Sequence, residues 1–266
     1  MSAAGPPPPA LSPSRLDAVV FDMDGVVTDT ARVHSAAWKL MFDDWLRERA
    51  AQSGTPFEPF TPEDYRRYVD GKRREDGVAA FLASRGIELP PGHADDPPDR
   101  ETLAGLGARK NAYFLQRLRT DGTDAYPGTV ALVRALQAAG IGTAIITASR
   151  NCDDVLAAAG IPDLFPVRVD GQVAAQLGLP GKPDPAVFVE AARRLGASPR
   201  RTAVVEDALA GVEAGRRGGF ALVVGVDRTG HAEELRRAGA DLVVGDLAEL
   251  RVDREDAPAA EAGWAP

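Results

Sequence analysis

The chain has little cysteine, no long apolar run and no excess of positive charge, and each shortage removes a class of protein. Its 266 residues include one cysteine, Cys152, which has no partner for an internal disulfide, so the sequence fits a reducing, cytoplasmic compartment. No apolar segment approaches the roughly 18 residues that a membrane span needs. A formal net charge of -8 and a pI near 5.0 argue against nonspecific binding to nucleic acid or to an anionic membrane. The opening residues are rich in alanine and proline, with neither a basic segment nor an apolar one, and are expected to be a disordered tail and not a signal peptide. The Ala-, Pro- and acid-rich end carries the same expectation, so residues 1–14 and 251–266 are read as tails. No internal repeat is visible. The whole chain, 44% hydrophobic and 26% charged, has the composition of a globular protein of one large domain or two modest ones.

The stretch from Ala18 to Thr30 organises the chain. Ala18-Val19-Val20-Phe21 reads as a short buried strand, and Asp22 and Asp24 follow where the strand should end. Side chains at i and i+2 of an extended chain point the same way, and Gly25 lets the backbone bend close to a ligand. In isolation an Asp-x-Asp-Gly run is equally a surface turn.

After Thr30 the pattern turns helical, with Ala36, Leu40, Met41 and Trp45 on one face up to about Ala50. Further helices are expected from Pro62, around Val78 to Leu82, and from about Glu101 to Leu118. No convincing strand occurs before Thr120. From Tyr126 helices alternate with strands at Ile141–Ile146, Leu164–Val169, Thr202–Val205, Ala221–Val226 and Asp241–Val244. This alternation predicts right-handed βαβ units and a parallel sheet covered on both faces. The expected fold is α/β, with a Rossmann-like core of residues 15–30 plus 121–250 and an all-helical cap of residues 31–120. Ligands of such sheets sit outside the carboxyl ends of the strands, under the inserted cap.

Three more polar groups fall at those strand ends: Thr147 after Ile145-Ile146, Lys182 in Gly181-Lys182-Pro183, and Glu206-Asp207 after Val204-Val205. Each alone has a bland reading, as a helix N-cap, a solvated lysine or acidic residues at a helix start. Together with Asp22 and Asp24 they make one constellation suited to phosphoryl transfer. An aspartate near its reference pKa of about 3.9 is ionised at neutral pH and can attack phosphorus without a base. Mg²⁺ held by Asp22, Asp207 and a backbone carbonyl can offset the repulsion between that carboxylate and a phosphate dianion. Lys182 and the Thr147 hydroxyl can hold phosphoryl oxygens. Asp24 is then the general acid, a role expected to need a pKa raised by its carboxylate neighbours.

In their order, these residues resemble the motifs of the haloacid dehalogenase superfamily of phosphotransferases. The pattern from Phe21 to Ala31 with His34 and Trp38 is similar to the opening of the β-phosphoglucomutase family. Gly71 and Arg74 match that family's cap loop, Lys110-Asn111 its cap lysine and asparagine, and Thr147-Ala148-Ser149-Arg150-Asn151 its Ser-Ala-Ser-Lys-Asn segment. The resemblance implies Asp22 as nucleophile and Asp24 as acid and base. It implies Mg²⁺ on Asp22, Asp207, the Asp24 carbonyl and Glu206 directly or through water. His34 would position Asp24, with Trp38 packed near it. Arg74, Ser149, Arg150 and Asn151 would grip the non-reacting phosphate, and the partner is a small sugar phosphate acted on by a monomer.

The chain departs from that pattern in three places. Lys72-Arg73 make the cap loop more basic, the segments 43–62 and 87–103 are longer, and Ala208 stands where a serine is common. Cap residues choose the substrate while the core sets the reaction, so a larger phosphorylated sugar such as a disaccharide phosphate is compatible with the sequence. The expected activity is interconversion of β-D-glucose 1-phosphate and glucose 6-phosphate. A sugar-phosphate phosphatase is the alternative with the same residues, and a non-catalytic sugar-phosphate sensor is disfavoured because Asp22 and Asp24 are both present.

Overall fold

The computed structural model describes residues 10–253. A two-residue strand, β1 (Ala10–Leu11), precedes the buried strand β2 (Ala18–Asp22). Helices α1 (Ala31–Ser53), α2 (Pro62–Asp64), α3 (Arg74–Ser84) and α4 (Leu103–Asp121) follow, with α2 running into a π-helical turn, Tyr65–Val69. Then come α5 (Pro127–Ala138), β3 (Gly142–Ile146), α6 (Cys152–Ala158), β4 (Val167–Val169), α7 (Gly171–Gln176) and α8 (Ala186–Arg194). The chain continues through β5 (Thr202–Glu206), α9 (Leu209–Arg217), β6 (Leu222–Val226), α10 (Ala232–Ala238), β7 (Leu242–Val244) and β8 (Arg251–Val252).

Six strands form one parallel sheet in the order β4-β3-β2-β5-β6-β7, with β2 near its centre. The period of two along each strand sorts side chains to two faces. Val19, Phe21, Ile145 and Val205 pack with Leu132, Leu136 and Val155 on one face, whereas Val20, Ala144, Ile146 and Val204 pack with Phe188, Ala191 and Val212 on the other.

The helices inserted after β2 have their own core of Trp38, Met41, Phe42, Trp45, Phe60, Val78, Phe81 and Leu82. The Phe42 ring lies 4.3 Å from Phe81 and 4.9 Å from Phe60, so three aromatic rings hold α1 and α3 to the connecting loop. Buried Asp43 fixes that loop by accepting the Phe60 N–H at 2.8 Å. Two strands of backbone join cap to core, and they are strapped together: the Asp29 N–H donates to the Asp124 carbonyl and the Tyr126 N–H to the Val27 carbonyl, each at 2.9 Å. This crossing lies beside Thr30 and Asp121, the positions where the sequence suggests a hinge, and Gly122 at φ +67° ends α4.

Several expectations are corrected. Ala10–Leu11 is no tail: it pairs in parallel with Arg251–Val252, and Leu11 is buried because it fills the rim of the core beside Leu250. The tail expectation for residues 1–9 and 254–266 lies outside the described residues. The strand expected over Leu164–Val169 is limited to Val167–Val169, since Pro166 has no N–H to give a ladder. Helices α7 and α10 arise without a long periodic signal; Asp170 caps α7 by accepting the Gln172 and Val173 N–H groups.

Removing the Phe42 ring should cost the cap about 3–5 kcal/mol, the range for a buried Phe→Ala change. Urea unfolding followed by the fluorescence of Trp38 and Trp45 is expected to shift to lower denaturant in Phe42→Ala. Ala substituted for the exposed Leu177 is expected to leave the midpoint within about 0.5 kcal/mol.

Candidate active site

The parallel register brings the sequence candidates to one edge. Asp22 is paired with Ile146, so Thr147 lies one residue beyond the end of β3, and Phe21 is paired with Val205, so Glu206 ends β5 beside Asp22 and Asp207 follows it. Lys182 arrives from the loop before α8 and is buried. Its Nζ donates to Asp22 Oδ1 at 2.5 Å and to Glu206 Oε1, which puts one ammonium between two carboxylates. The remaining oxygens are also held: Asp22 Oδ2 accepts the Asp24 N–H at 2.9 Å and Glu206 Oε2 accepts the Ala208 N–H at 2.8 Å. Gly25, at φ +88°, makes room for Asp207, whose Oδ2 lies 1.8 Å from where a β-carbon on Gly25 would be.

Three carboxylates around one lysine leave uncompensated negative charge. Burial, with neighbouring carboxylates adding to it, pushes Asp22 and Asp207 well above the ordinary carboxylate range, Lys182 opposing the shift. This corrects the expectation of an Asp22 near its reference pKa. The same carboxylates hold Lys182 firmly protonated against its own burial.

Asp24 departs further from expectation, because its carboxylate faces donors and not the acidic cluster. Oδ1 accepts the Thr30 hydroxyl at 2.5 Å and Oδ2 the Thr147 hydroxyl at 3.0 Å. Burial alone would raise its pKa, but His34 and these hydroxyls outweigh burial and hold Asp24 well below the usual range. The raised pKa expected for a general acid is therefore absent. The Thr147 hydroxyl, expected on a phosphoryl oxygen, is here committed to Asp24.

His34 reaches Asp24 from α1. Its Nε2 lies 3.3 Å from Asp24 Oδ1 without an aligned hydrogen bond, while Nδ1 is 2.5 Å from Lys110 Nζ and the ring stacks on Phe114. A lysine donating to Nδ1 leaves the imidazole proton on Nε2, directed at Asp24. Burial and the Lys110 charge lower the His34 pKa, and burial followed by Arg74 lowers that of Lys110. Trp38 packs on Phe42 with Lys110 over its ring, 5.3 Å from the centroid.

The remaining cap and core candidates meet across the cleft. Arg74 Nη2 donates to Asn111 Oδ1 at 3.0 Å, and Asn151 Nδ2 donates to the same oxygen at 2.8 Å. Ser149 Oγ accepts the Asn151 N–H at 3.1 Å, and Arg150 lies 3.7 Å from Glu75. Gly71, at φ +68°, sits over Ala208: a β-carbon on it would be 2.9 Å from the Ala208 methyl. Sequence reasoning missed Thr30, Tyr65 and Asp70. Burial and nearby carboxylates push Asp70 up to about 6, against the lowering effect of Tyr65. The position of Asp70 beside Gly71 was its only sequence signal.

The residues fit a hard divalent cation. Oxygens of Asp22, Glu206 and Asp207 lie within 4.8 Å of one another, all three donors are carboxylates, and their charge exceeds that of Lys182. Asp24 enters this group only through its backbone carbonyl, since its side chain is turned to Thr30, Thr147 and His34.

A parallel α/β core with carboxylates, a lysine and a hydroxyl converging at the strand ends, under a helical cap bearing a second cationic site, defines a phosphotransferase. The comparisons agree: the model of the haloacid dehalogenase-like hydrolases matches residues 16–219. The beta-phosphoglucomutase of Mycobacterium bovis is 51% identical over 242 residues, covering 90% of this chain and 92% of that one. That of Bacillus subtilis is 32% identical over 90% of this chain and 93% of its own. The crystal structure of beta-phosphoglucomutase from Clostridium difficile superposes with a TM-score of 0.68 at 25% identity, over 88% of this chain and 92% of that one. The chain belongs to the haloacid dehalogenase-like family.

Because Asp22 and Asp207 bind protons more tightly folded than unfolded, metal-free stability should fall as pH rises above about 4. Asp207→Asn is expected to raise the metal-free thermal midpoint at pH 7 and to remove any further rise on adding Mg²⁺. The wild-type midpoint should rise with Mg²⁺ by the mass-action amount. Calorimetric scans of both proteins check this, and a wild-type midpoint indifferent to Mg²⁺ refutes the cation site.

Proposed function

We propose that the chain is a Mg²⁺-dependent β-phosphoglucomutase that interconverts β-D-glucose 1-phosphate and glucose 6-phosphate through an aspartyl phosphate and a sugar bisphosphate. The observation that carries this reading is the pair of cationic sites facing each other across the cleft: Lys182 at Asp22, and Arg74 with Arg150, Ser149 and Asn151 beyond it. A phosphatase needs one anion site, whereas a mutase needs two that accept either end of the bisphosphate. The identity to the M. bovis mutase supports the same choice.

In this reading Asp22, once phosphorylated, gives its phosphoryl group to a hydroxyl of the bound monophosphate. Asp24 takes the hydroxyl proton as the new O–P bond forms and the Asp22 O–P bond breaks. After the bisphosphate turns end for end, Asp22 attacks the other phosphorus and Asp24 returns the proton to the leaving oxygen. Lys182 holds a phosphoryl oxygen at the reacting end, Arg74 grips the far end in a bidentate manner, and the Thr147 hydroxyl and His34 keep Asp24 aligned. Asp22, Asp207, the Asp24 carbonyl and Glu206, the last through water because Lys182 and the Ala208 amide occupy its oxygens, would hold Mg²⁺. The cation supplies charge that favours ionised Asp22 and shields its approach to phosphate. A reducing, cytoplasmic location agrees with the single buried thiol of Cys152.

One observation favours hydrolysis as a second reading. A cavity of about 710 Å³ between cap and core reaches Asp207 on the side away from Arg74, giving water a path to the acidic cluster.

Incubation of the pure enzyme with β-glucose 1-phosphate, Mg²⁺ and a trace of bisphosphate separates the two. Rapid formation of glucose 6-phosphate without free phosphate is expected; stoichiometric release of phosphate overturns the mutase reading. Asp22→Asn should abolish labelling by a phosphoryl donor, and a variant that still labels has a different nucleophile.

A further inference from the structure

The cap loop that carries Gly71 and Arg74 also carries Arg73, which neither phosphate site described above uses. Arg73 has extended backbone at the start of α3 (φ -60°, ψ 147°), and its methylenes cross from cap to core. A β-carbon built on Gly181 would lie 2.6 Å from Arg73 Cγ and 2.7 Å from Cδ, so the side chain is seated on the residue next to Lys182. Asp76 Oδ2 approaches the same point at 3.4 Å. Even so, among the described residues the Arg73 guanidinium has no carboxylate within 4.0 Å. Its neighbours are better matched: Arg74 is held by Asn111, and Arg150 faces Glu75. Arg73, Arg74 and Arg150 line one cavity together with Thr147 and Lys182.

A guanidinium that is partly removed from water without a partner costs free energy, and one held beside two others adds repulsion. In the lining of that cavity Arg73, Arg74, Arg150 and Lys182 face one carboxylate, Glu75, so an entering anion is attracted. A phosphate ester carries about two negative charges, and a bisphosphate about four. Arg74 and Arg150 already match one phosphate, so a third guanidinium toward Lys182 serves a ligand with charge at both ends.

We propose that Arg73 is a specificity-determining residue that selects the doubly phosphorylated sugar over the monophosphate, retaining the bisphosphate in the cleft while it turns. Its purpose rests on the mutase reading; its test does not. The interaction of one fixed charge scales with ligand charge, so removing Arg73 should weaken bisphosphate binding by about the square of the factor for monophosphate, roughly tenfold against roughly threefold.

Titration calorimetry in the Asp22→Asn background, where no phosphoryl group is taken up, reads this directly with a hexose 1,6-bisphosphate and a hexose 6-phosphate as probes. Arg73→Met keeps methylenes over Gly181 and removes the charge, whereas Arg73→Lys keeps the charge. The Met variant is expected to lose about tenfold in affinity for the bisphosphate and about threefold for the monophosphate, a gap that narrows with added salt. The Lys variant should recover most of the bisphosphate affinity. Equal losses for both ligands, no loss with Met, or a parent that binds the bisphosphate no tighter than the monophosphate each overturn the proposal. A failure of the mutase reading shows separately, as phosphate release from β-glucose 1-phosphate by the wild-type enzyme.

Discussion

The Lys182 ammonium held between Asp22 and Glu206 is the interaction on which the site depends. Two strand ends, those of β2 and β5, deliver Asp22, Glu206 and Asp207 to one buried volume, and like charges so placed repel in a medium that screens poorly. The lysine offsets part of that repulsion and fixes the rotamer of Asp22. It cannot offset all of it, since Asp207 adds a further negative charge and Asp70 of the cap faces the same cluster. Burial together with this shortfall raises the pKa values of Asp22 and Asp207, and the shortfall suits a divalent cation. A fully neutralised site would be more stable without metal and would have less reason to bind it.

The cap answers to the same electrostatics. Its own core is aromatic and folds around Phe42, Phe60 and Phe81; at its base Val33, Ala37, Phe114 and Leu118 continue the apolar core of the sheet, while polar contacts span the outer seams. Arg66 of the π-helical turn spans to Glu234 on α10, with Nη1 2.8 Å from Oε1 and 2.9 Å from Oε2, and Arg150 faces Glu75 on the opposite side. Partly exposed ion pairs of this kind contribute about 0–1 kcal/mol each. The cap is thus joined to the core by these ion pairs, by its apolar base, by glycine seats at Gly71 and Gly181 and by two strapped linkers. The space at Asp22 and Lys182 under the cap is small.

The core chemistry was legible in the sequence because it is written at strand ends. Asp22, Thr147 and Glu206-Asp207 each follow a short apolar run, and a parallel sheet aligns the ends of all such runs; Lys182 comes instead from the loop before α8. The alternation of helices and strands gave the sheet, and the long strand-free insertion gave the cap. Features that rest on side-chain direction or on distant pairing left no comparable trace. The pairing of Ala10–Leu11 with Arg251–Val252 joins segments whose composition reads as tail. Tyr65 falls on a π-helical turn, where the 3.6-residue period no longer tells which face a side chain takes. Asp24 was expected among carboxylates because it is two residues from Asp22. Instead the Thr30 and Thr147 hydroxyls turn its carboxylate away.

That turn of Asp24 bears on the order of events. A carboxylate held by two hydroxyls and flanked by the Nε2–H of His34 is ionised at neutral pH, so in the resting protein it can accept a proton but has none to give. A step that begins with loss of phosphate from substrate calls for an acid at the leaving oxygen, and this residue is not prepared for it. One that begins with an acceptor hydroxyl attacking phosphorylated Asp22 calls for a base, and here the residue is ready. Having taken that proton, Asp24 becomes the acid that the return half of the reaction requires. The low pKa that contradicted a general acid thus suits a phosphotransferase entering its cycle from the phosphorylated form. It suits less well an enzyme whose first act is to cleave a substrate ester, and because His34 on α1 is the largest of the lowering influences, the cap takes part in setting it.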